Sequence, residues 1–447
     1  MKKKSALLLT LLTGAVALSA CADSNRFSGG EVLSDAQKHS TDAKVTYNYK
    51  DGASEPPQSY NNYVGSVTEL SLRLLRDRYA MQSDTPFVFA PSSTAVSLCQ
   101  LANAASSDTR ADIMLGLGAE LTAEDLSQCS SYFKSRIREV SQANRQNDKD
   151  KEETSPFDVP HVCMLNSMFV RDGNEISTAF LQNNADFFQS TVIRSDFAAE
   201  SFVTKQQSLF ADYVDKADVG ADKKDLLYTV TASSITDTWL VPYDANSLSE
   251  GSFHGAGGDT TVPFMTSNES YIHTENAEGI LKYTAKNPLK LLAIMPKGKA
   301  TLKEVLDTLN YSEYGTLLAS MDIKESAQAA LPQFSLNSGN QARPLSEQLQ
   351  KAGFRTLFLE DTRFKTMNIS GKLHLNEMYE LEPSLTISAS GIGDKAEEKI
   401  VTDKNALTPG GDNAQQKSKH KLTFDKPFVF MLIDNESNIP VYAGIYQ

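Results

Sequence analysis

The chain has 447 residues, 40% hydrophobic and 22% charged, with a net charge of −13 at neutral pH. That apolar content supports a large globular core, and length alone suggests two or three domains. The acidity leaves no electrostatic reason to bind nucleic acid or an anionic lipid surface.

The first twenty residues read as a targeting signal. Lys2, Lys3 and Lys4 precede an apolar run from Ala6 to Leu18, too short to span a bilayer as a mature helix. The run ends in Leu18-Ser19-Ala20-Cys21, similar to the bacterial lipobox, where small residues admit a peptidase and the Cys thiol is acylated. Residues 1–20 are therefore expected to be removed, leaving Cys21 as a lipidated N-terminus on a bacterial membrane. Several acyl chains on one residue anchor stably where a single chain is marginal. Cleavage removes the three lysines and takes the net charge from −13 to −16. Residues 21–60 are polar and aperiodic, with Ser28-Gly29-Gly30 and Glu55-Pro56-Pro57-Gln58, and read as a flexible tether. Such a coil holds the following domain, residues 61–447, roughly 35 Å from its anchor.

Helical spacing of Val64, Val67, Leu70, Leu74 and Leu75 predicts an amphipathic helix over Tyr63–Tyr79. Phe87-Val88-Phe89-Ala90 is a short strand. Pro91-Ser92-Ser93 opens a buried helix, Thr94–Ala104, with Ser92 or Ser93 as its cap. Thr109–Leu117 is a further helix ending at Gly118, and Gln142–Pro156 is a charged, aperiodic loop. A strand follows over His161–Arg171, then helices over Ser177–Phe188 and Phe202–Ala217. Strands then dominate: Leu226–Trp239, Thr260–Met265, Leu289–Met295, Leu331–Leu336 and the run Lys421–Ile433, interrupted by a helix, Leu345–Ala352, stopped at Gly353. Helices early and strands late describe an α+β chain, not a regular βα alternation.

Chemistry-bearing motifs are absent from the sequence: GxSxG, HExxH, a phosphate loop and a dinucleotide fingerprint all fail to occur, and Gly391-Ile392-Gly393 is too short a match. No enzyme, metal or cofactor is expected. Cys99 falls in an apolar helical run and reads as core. With Cys129 and Cys163 it makes an odd count without metal spacing, and one disulfide among the three stays open.

The segment Leu385–Lys421 is the distinctive one. It begins with small residues, Thr386-Ile387-Ser388-Ala389-Ser390-Gly391, and becomes charged at Asp394-Lys395-Ala396-Glu397-Glu398-Lys399. A connection of this length is functional or disordered. Its first half has the size and alternation of a strand in surroundings that read as exposed. Extended, it places Thr386, Ser388, Ser390 and Ile392 on a face able to slide over a core, with Ile387, Ala389, Gly391 and Gly393 outward.

Several motifs taken together resemble the serpin family. They are Phe87-Val88-Phe89-Ala90-Pro91-Ser92-Ser93; Ala104-Ala105-Ser106-Ser107-Asp108-Thr109-Arg110 followed by Leu115-Gly116-Leu117-Gly118; and Asp237-Thr238-Trp239 with Pro242-Tyr243 and Phe253-His254. Val262-Pro263-Phe264-Met265, Ala293-Ile294-Met295-Pro296-Lys297, Leu331-Pro332-Gln333-Phe334 and the ending Asp425-Lys426-Pro427-Phe428-Val429-Phe430 through Ala443-Gly444-Ile445 follow in register. The resemblance implies one α+β domain, about nine helices on three sheets, which overrides the length-based domain count.

It also implies a mechanism. A serine or cysteine protease attacks an exposed reactive loop and forms an acyl-enzyme. The cut loop then inserts as a new central strand, distorting the protease, and the native fold is metastable. Leu385 stands where the family has a hinge Gly, and Asp394 would enter on the core side. Family spacing places the reactive bond at Lys399-Ile400, which suits a trypsin-like protease; Lys404 or Leu407 follows if the extra residues precede the bond. Trp239 matches a Trp beneath the sheet's opening. Ser93 and His374 match a hydrogen-bonded cluster governing the central strands, two of whose other members are replaced by Ala90 and Thr231. The resemblance implies a monomeric inhibitor with proteases as partners, which the lipobox cysteine Cys21 is expected to anchor to a membrane; a non-inhibitory binding protein and a surface adhesion module are the rivals.

Overall fold

In a computed structural model, the structure describes residues 30–34, 55–147, 160–393 and 418–447, apart from 119, 211–212, 214–216, 218, 221, 338–341, 362, 369 and 371–372. Strand β1 (Glu31–Ser34) precedes α1 (Tyr60–Met81), which buries Tyr63, Val67, Leu70 and Leu74 at intervals of three and four. After β2 (Phe87–Phe89), Pro91 opens α2 (Pro91–Ala104) at its first position, where a missing N–H costs nothing. The cap is Ala90; Ser92 and Ser93 lie inside the helix, not at its cap. α2 is buried on all sides because it packs on the strands His161–Arg171 and Leu227–Thr238 of one sheet and on the strand Pro440–Tyr446 of the other. α3 (Ser107–Leu117) stops at Gly118, whose φ of 66° is the left-handed turn that glycine adopts at little cost.

Helix α4 (Ala123–Asn147) carries helical structure into the segment expected to be a loop from Gln142. Extending an existing helix adds one hydrogen bond per residue without a new nucleus, so polar residues continue it. Then come β3 (His161–Arg171), α5 (Thr178–Asn183) with a π turn over Asn184–Phe188, β4 (Thr191–Ser195), α6 (Glu200–Leu209) and β5 (Leu227–Thr238). α6 ends well before the expected Ala217. Phe210, Tyr213 and Ala217 are buried as their spacing predicts, but Tyr213 closes a turn on Phe210 and does not continue the helix. The strands β6 (Leu248–Gly255), β7 (Gly258–His273), β8 (Ala277–Tyr283) and β9 (Leu289–Pro296) lead to α7 (Leu302–Thr308) and α8 (Tyr311–Ala319). β10 (Ser326–Pro332), β11 (Phe334–Leu336), β12 (Ala342–Pro344), α9 (Ser346–Lys351), β13 (Glu377–Leu381), β14 (Leu385–Ile387) and β15 (Gly391–Gly393) follow. β16 (His420–Thr423), β17 (Phe428–Asp434) and β18 (Pro440–Tyr446) end the chain.

Among the described residues the strands form two hydrogen-bonded sheets where three are expected. One runs β1-β4-β3-β5-β15-β14-β11, with β13 also on β5 and β12 on β13. The other runs β16-β10-β7-β8-β9-β17-β18-β2, with β6 on β7. Two of the expected sheets merge because the sixteen-residue β7 serves both, pairing with β6 at its start, β10 in its middle and β8 at its end.

The tether reading of residues 21–60 is corrected in one place. Glu31–Ser34 pairs antiparallel with β4, opposing Val32 to Ile193, burying Leu33 and joining Glu31 to Arg194 by an ion pair. β4 would otherwise be an edge with unmatched backbone groups, a ready template for another strand. Cys99, Cys129 and Cys163 are all buried, and among the described residues no disulfide joins them. Burial pushes the Cys99 thiol up to about 12, so it behaves as core.

Candidate functional site: a hinge seated in the sheet

Leu385, Thr386 and Ile387 form β14 and lie antiparallel to β11, opposite Leu336, Ser335 and Phe334 in that order. The chain then turns back within three residues. Ser388 N donates to Gly391 O at 2.9 Å, and the hydroxyls of Ser388 and Ser390 meet at 2.9 Å. Gly391, Ile392 and Gly393 continue as β15 and enter the sheet between β14 and β5. Ile392 opposes Ile387 on one side and Asp237 on the other, and Gly391 opposes Thr238. Lower in the sheet β13 pairs directly with β5, from Glu377 opposite Tyr228 to Glu380 opposite Thr231. The seam between the central strands is thus closed at its base and wedged open at its top by the start of the loop.

This corrects the expected alternation. The turn at Ser388–Ser390 inverts the facing, so Leu385 and Ile387 before it and Ile392 after it are all buried; Ser390 alone of these hinge residues is exposed. Ser390 aside, residues 385–393 are seated in the sheet, not exposed. Leu385 at the glycine position of the family hinge is a fully buried core residue.

Four groups hold the turn. The indole N–H of Trp239 donates to Ser388 O, and Trp239 N reaches Ser390 O at 3.4 Å. Ala389 N donates to Gln333 Oε1 at 3.1 Å. Gly391 fits because it lacks a side chain: a Cβ there would lie far inside contact distance of Asp237 O and 2.8 Å from Thr238 Cα. Glycine within a strand marks such close approach, and this is the signal in Gly391-Ile392-Gly393 that motif matching passed over.

Trp239 sits in a charged aromatic nest. Tyr243 meets it edge-on with centroids 6.3 Å apart, and Lys282 Nζ lies 4.2 Å from the Tyr243 ring centre and 5.4 Å from that of Trp239. Lys282 is neutralised by Glu269 at 2.6 Å and donates to Val241 O at 2.9 Å, so this buried cation is paired and hydrogen-bonded. Asp237, also buried, accepts backbone N–H groups from Thr238, Lys286 and Asn287. Burial pushes its carboxyl above the ordinary range, and those donors partly offset the shift.

The loop's far end returns at β16, parallel to β10. Glu325 accepts from Lys419 at 3.1 Å and lies 3.4 Å from His420, whose ring stacks on Tyr271 at 3.8 Å. Lys419 first, then His420, holds the Glu325 carboxyl below its usual range. Cys21, Asp394, Lys399, Ile400, Lys404 and Leu407 lie outside the described residues.

Ser93 and His374 are not joined. The Ser93 hydroxyl is buried without a hydrogen bond, as is that of Thr231, while half-buried His374 places Nε2 3.3 Å from Asn376 Nδ2. The polar contact beneath β3 is made instead by Asn166, whose side chain donates to Ser93 O at 3.0 Å and Ser97 Oγ at 2.8 Å.

Comparison with known proteins agrees with this geometry. The family model for serpins, described as serine protease inhibitors, matches residues 65–446. The bovine (Bos taurus) plasma serine protease inhibitor is 22% identical over 371 residues, covering 78% of this chain and 82% of its own. The crystal structure of the thermophilic serpin tengpin in its native state superposes with a TM-score of 0.72 at 22% identity, covering 89% of this chain and 96% of its own. Thyroxine-binding globulin in complex with thyroxine superposes with a TM-score of 0.66 at 16% identity, covering 86% and 98%. The chain belongs to the serpin family, a family of protease inhibitors in general.

Proposed function

We propose that this serpin is a suicide inhibitor of trypsin-like serine proteases, displayed on a bacterial surface through a lipid on Cys21. The observation that carries the reading is the position of β15, between β14 and β5 in the uncut chain. Strand addition has begun, and further insertion lengthens a ladder that already has both edges. A protease serine oxygen adds to the Lys399 carbonyl and the bond to Ile400 breaks. Ile400 leaves as an amine carrying the proton, and an ester holds the protease to the loop. Continued insertion between β5 and β13 then draws the ester-linked protease along the sheet.

The test mixes the signal-free chain with trypsin. The expected result is a covalent complex that survives boiling in detergent, with the C-terminal fragment beginning at Ile400 by mass spectrometry. The nicked chain should melt well above the intact one. A cut loop with full trypsin activity and an unchanged melting temperature would overturn the inhibitory reading.

A non-inhibitory reading draws on Asp394. Insertion that extended the register of β15 by one residue would bring the Asp394 carboxylate opposite Ile235, which is fully buried. An unpaired carboxylate there costs several kcal/mol and favours hydrolysis of the acyl-enzyme over insertion.

A further inference from the structure

The seam between β5 and β13 is held unequally on its two sides. On the β13 side Glu380 turns inward. Its Oε2 accepts a 2.6 Å hydrogen bond from Arg78 Nη2 of α1, both side chains being 1% exposed. Its Oε1 accepts the backbone N–H of Ala90 at 2.7 Å, where the chain enters α2. The Arg78 guanidinium lies 4.5 Å over the ring of Phe89 in β2, and its Nη1 approaches Glu382, just beyond β13, at 3.8 Å. One carboxylate therefore ties the middle of β13 to two helices.

On the other side the tie at this level is made by β3, where Asn166, the register partner of Thr231, donates to Ser93 O at 3.0 Å and Ser97 Oγ at 2.8 Å of α2, and β5 itself is untied. Thr231 is the direct register partner of Glu380, and its hydroxyl, with those of Thr229 and Ser233 on the same face, is buried without a hydrogen bond. A carboxylate that leaves its guanidinium strands two charges in the core, whereas those three hydroxyls have no bond to lose.

We propose that Arg78 and Glu380 are a positioning pair for strand insertion: they pin β13 to α1 and α2 so that β5 is the side that yields when the seam opens. This rests on the insertion reading of the same seam.

The experiment uses the signal-free chain with intact loop and a synthetic peptide copying residues 386–399. Peptide uptake is followed by Trp239 emission, and hydrogen exchange is read strand by strand. The variant replaces both partners, Arg78→Met with Glu380→Leu, a swap of a buried ion pair for apolar groups that is often tolerated. In the parent, exchange should rise in β5 and stay low in β13 during uptake. In the variant it should rise on both sides, and uptake should quicken about tenfold at an equal melting temperature. Equal uptake and the same exchange pattern in both chains would overturn the assignment while leaving insertion intact. Uptake by neither chain would sink the insertion reading and this assignment with it. If the double variant does not fold, Glu380→Gln, which keeps the shape and removes the charge, decides by the same two readouts.

Discussion

The indole Nε1–H of Trp239 donates a 2.7 Å hydrogen bond to the backbone carbonyl of Ser388. The two residues lie 149 positions apart, one at the end of β5 and the other at the turn that sends the loop back into the sheet. The bond is buried, so the carbonyl has no replacement partner if the indole is lost. Trp239 is the sole tryptophan of the chain, and its emission therefore reads the state of the hinge directly.

Trp239→Phe should remove this bond and leave the Ser388 carbonyl unmatched, destabilising the fold by about 1–3 kcal/mol. Urea denaturation checks the loss. In the parent chain, cleavage within residues 394–417 should shift the Trp239 emission as the turn at Ser388–Ser390 straightens; an emission unchanged by cleavage would contradict a moving hinge.

Gly391→Ala should expel β15 from the sheet, because the added methyl has no room against the backbone of Asp237 and Thr238. The expected sign is faster hydrogen exchange at Ile392 and Gly393 and new proteolytic cuts between Ser388 and Gly393, with β17 and β18 unaffected. Gly393→Ala is the control, since a Cβ there lies 3.6 Å from Thr236 Oγ1, an ordinary contact.

Asp237 gives the site a pH dependence. Its carboxyl titrates above the ordinary 3.8 in the folded chain, chiefly through burial, so the folded state holds the proton more tightly than the unfolded one. This group's contribution is full below about pH 3.8 and is lost as pH rises through the folded value. Asp237→Asn should cost about 1–3 kcal/mol, because an amide nitrogen must then face a backbone N–H. The stability of the parent relative to this variant should fall as pH is raised above 4, measured by denaturation across a pH series.

Asp394→Ala should favour trapping over hydrolysis. Removing a carboxylate whose burial costs several kcal/mol should raise the ratio of trapped to released protease by at least about tenfold. Titrating trypsin with parent and variant gives that ratio; an unchanged ratio would show that Asp394 does not limit insertion.

Much of the framework is legible in sequence because it is written in local patterns. The three- and four-residue spacing of α1, the Pro91 start of α2 and the Gly118 stop of α3 are each signalled within a few residues. The ordered motifs around Trp239 and Phe428 identify the family without coordinates. Alternation misled at the hinge because period two assumes an unbroken strand, and the turn at Ser388–Ser390 inverts it. β1 escaped notice since four residues carry too little pattern, and its reason to exist is the unmatched edge of β4, some 160 residues away.

From its residues alone the chain determined its helices other than α4, α7 and α8, the strands β2, β3, β5, β7, β9, β11 and β17, and the position of its tryptophan. These follow from propensity and periodicity, which act over one or two turns of chain. Tertiary structure alone decided which strand the loop's first residues join, that Glu380 meets Arg78 across 302 positions, and that Ser93 and His374 stay apart. Pairing across a sheet and burial of a charge depend on neighbours brought together only by the closed core, so no local pattern encodes them.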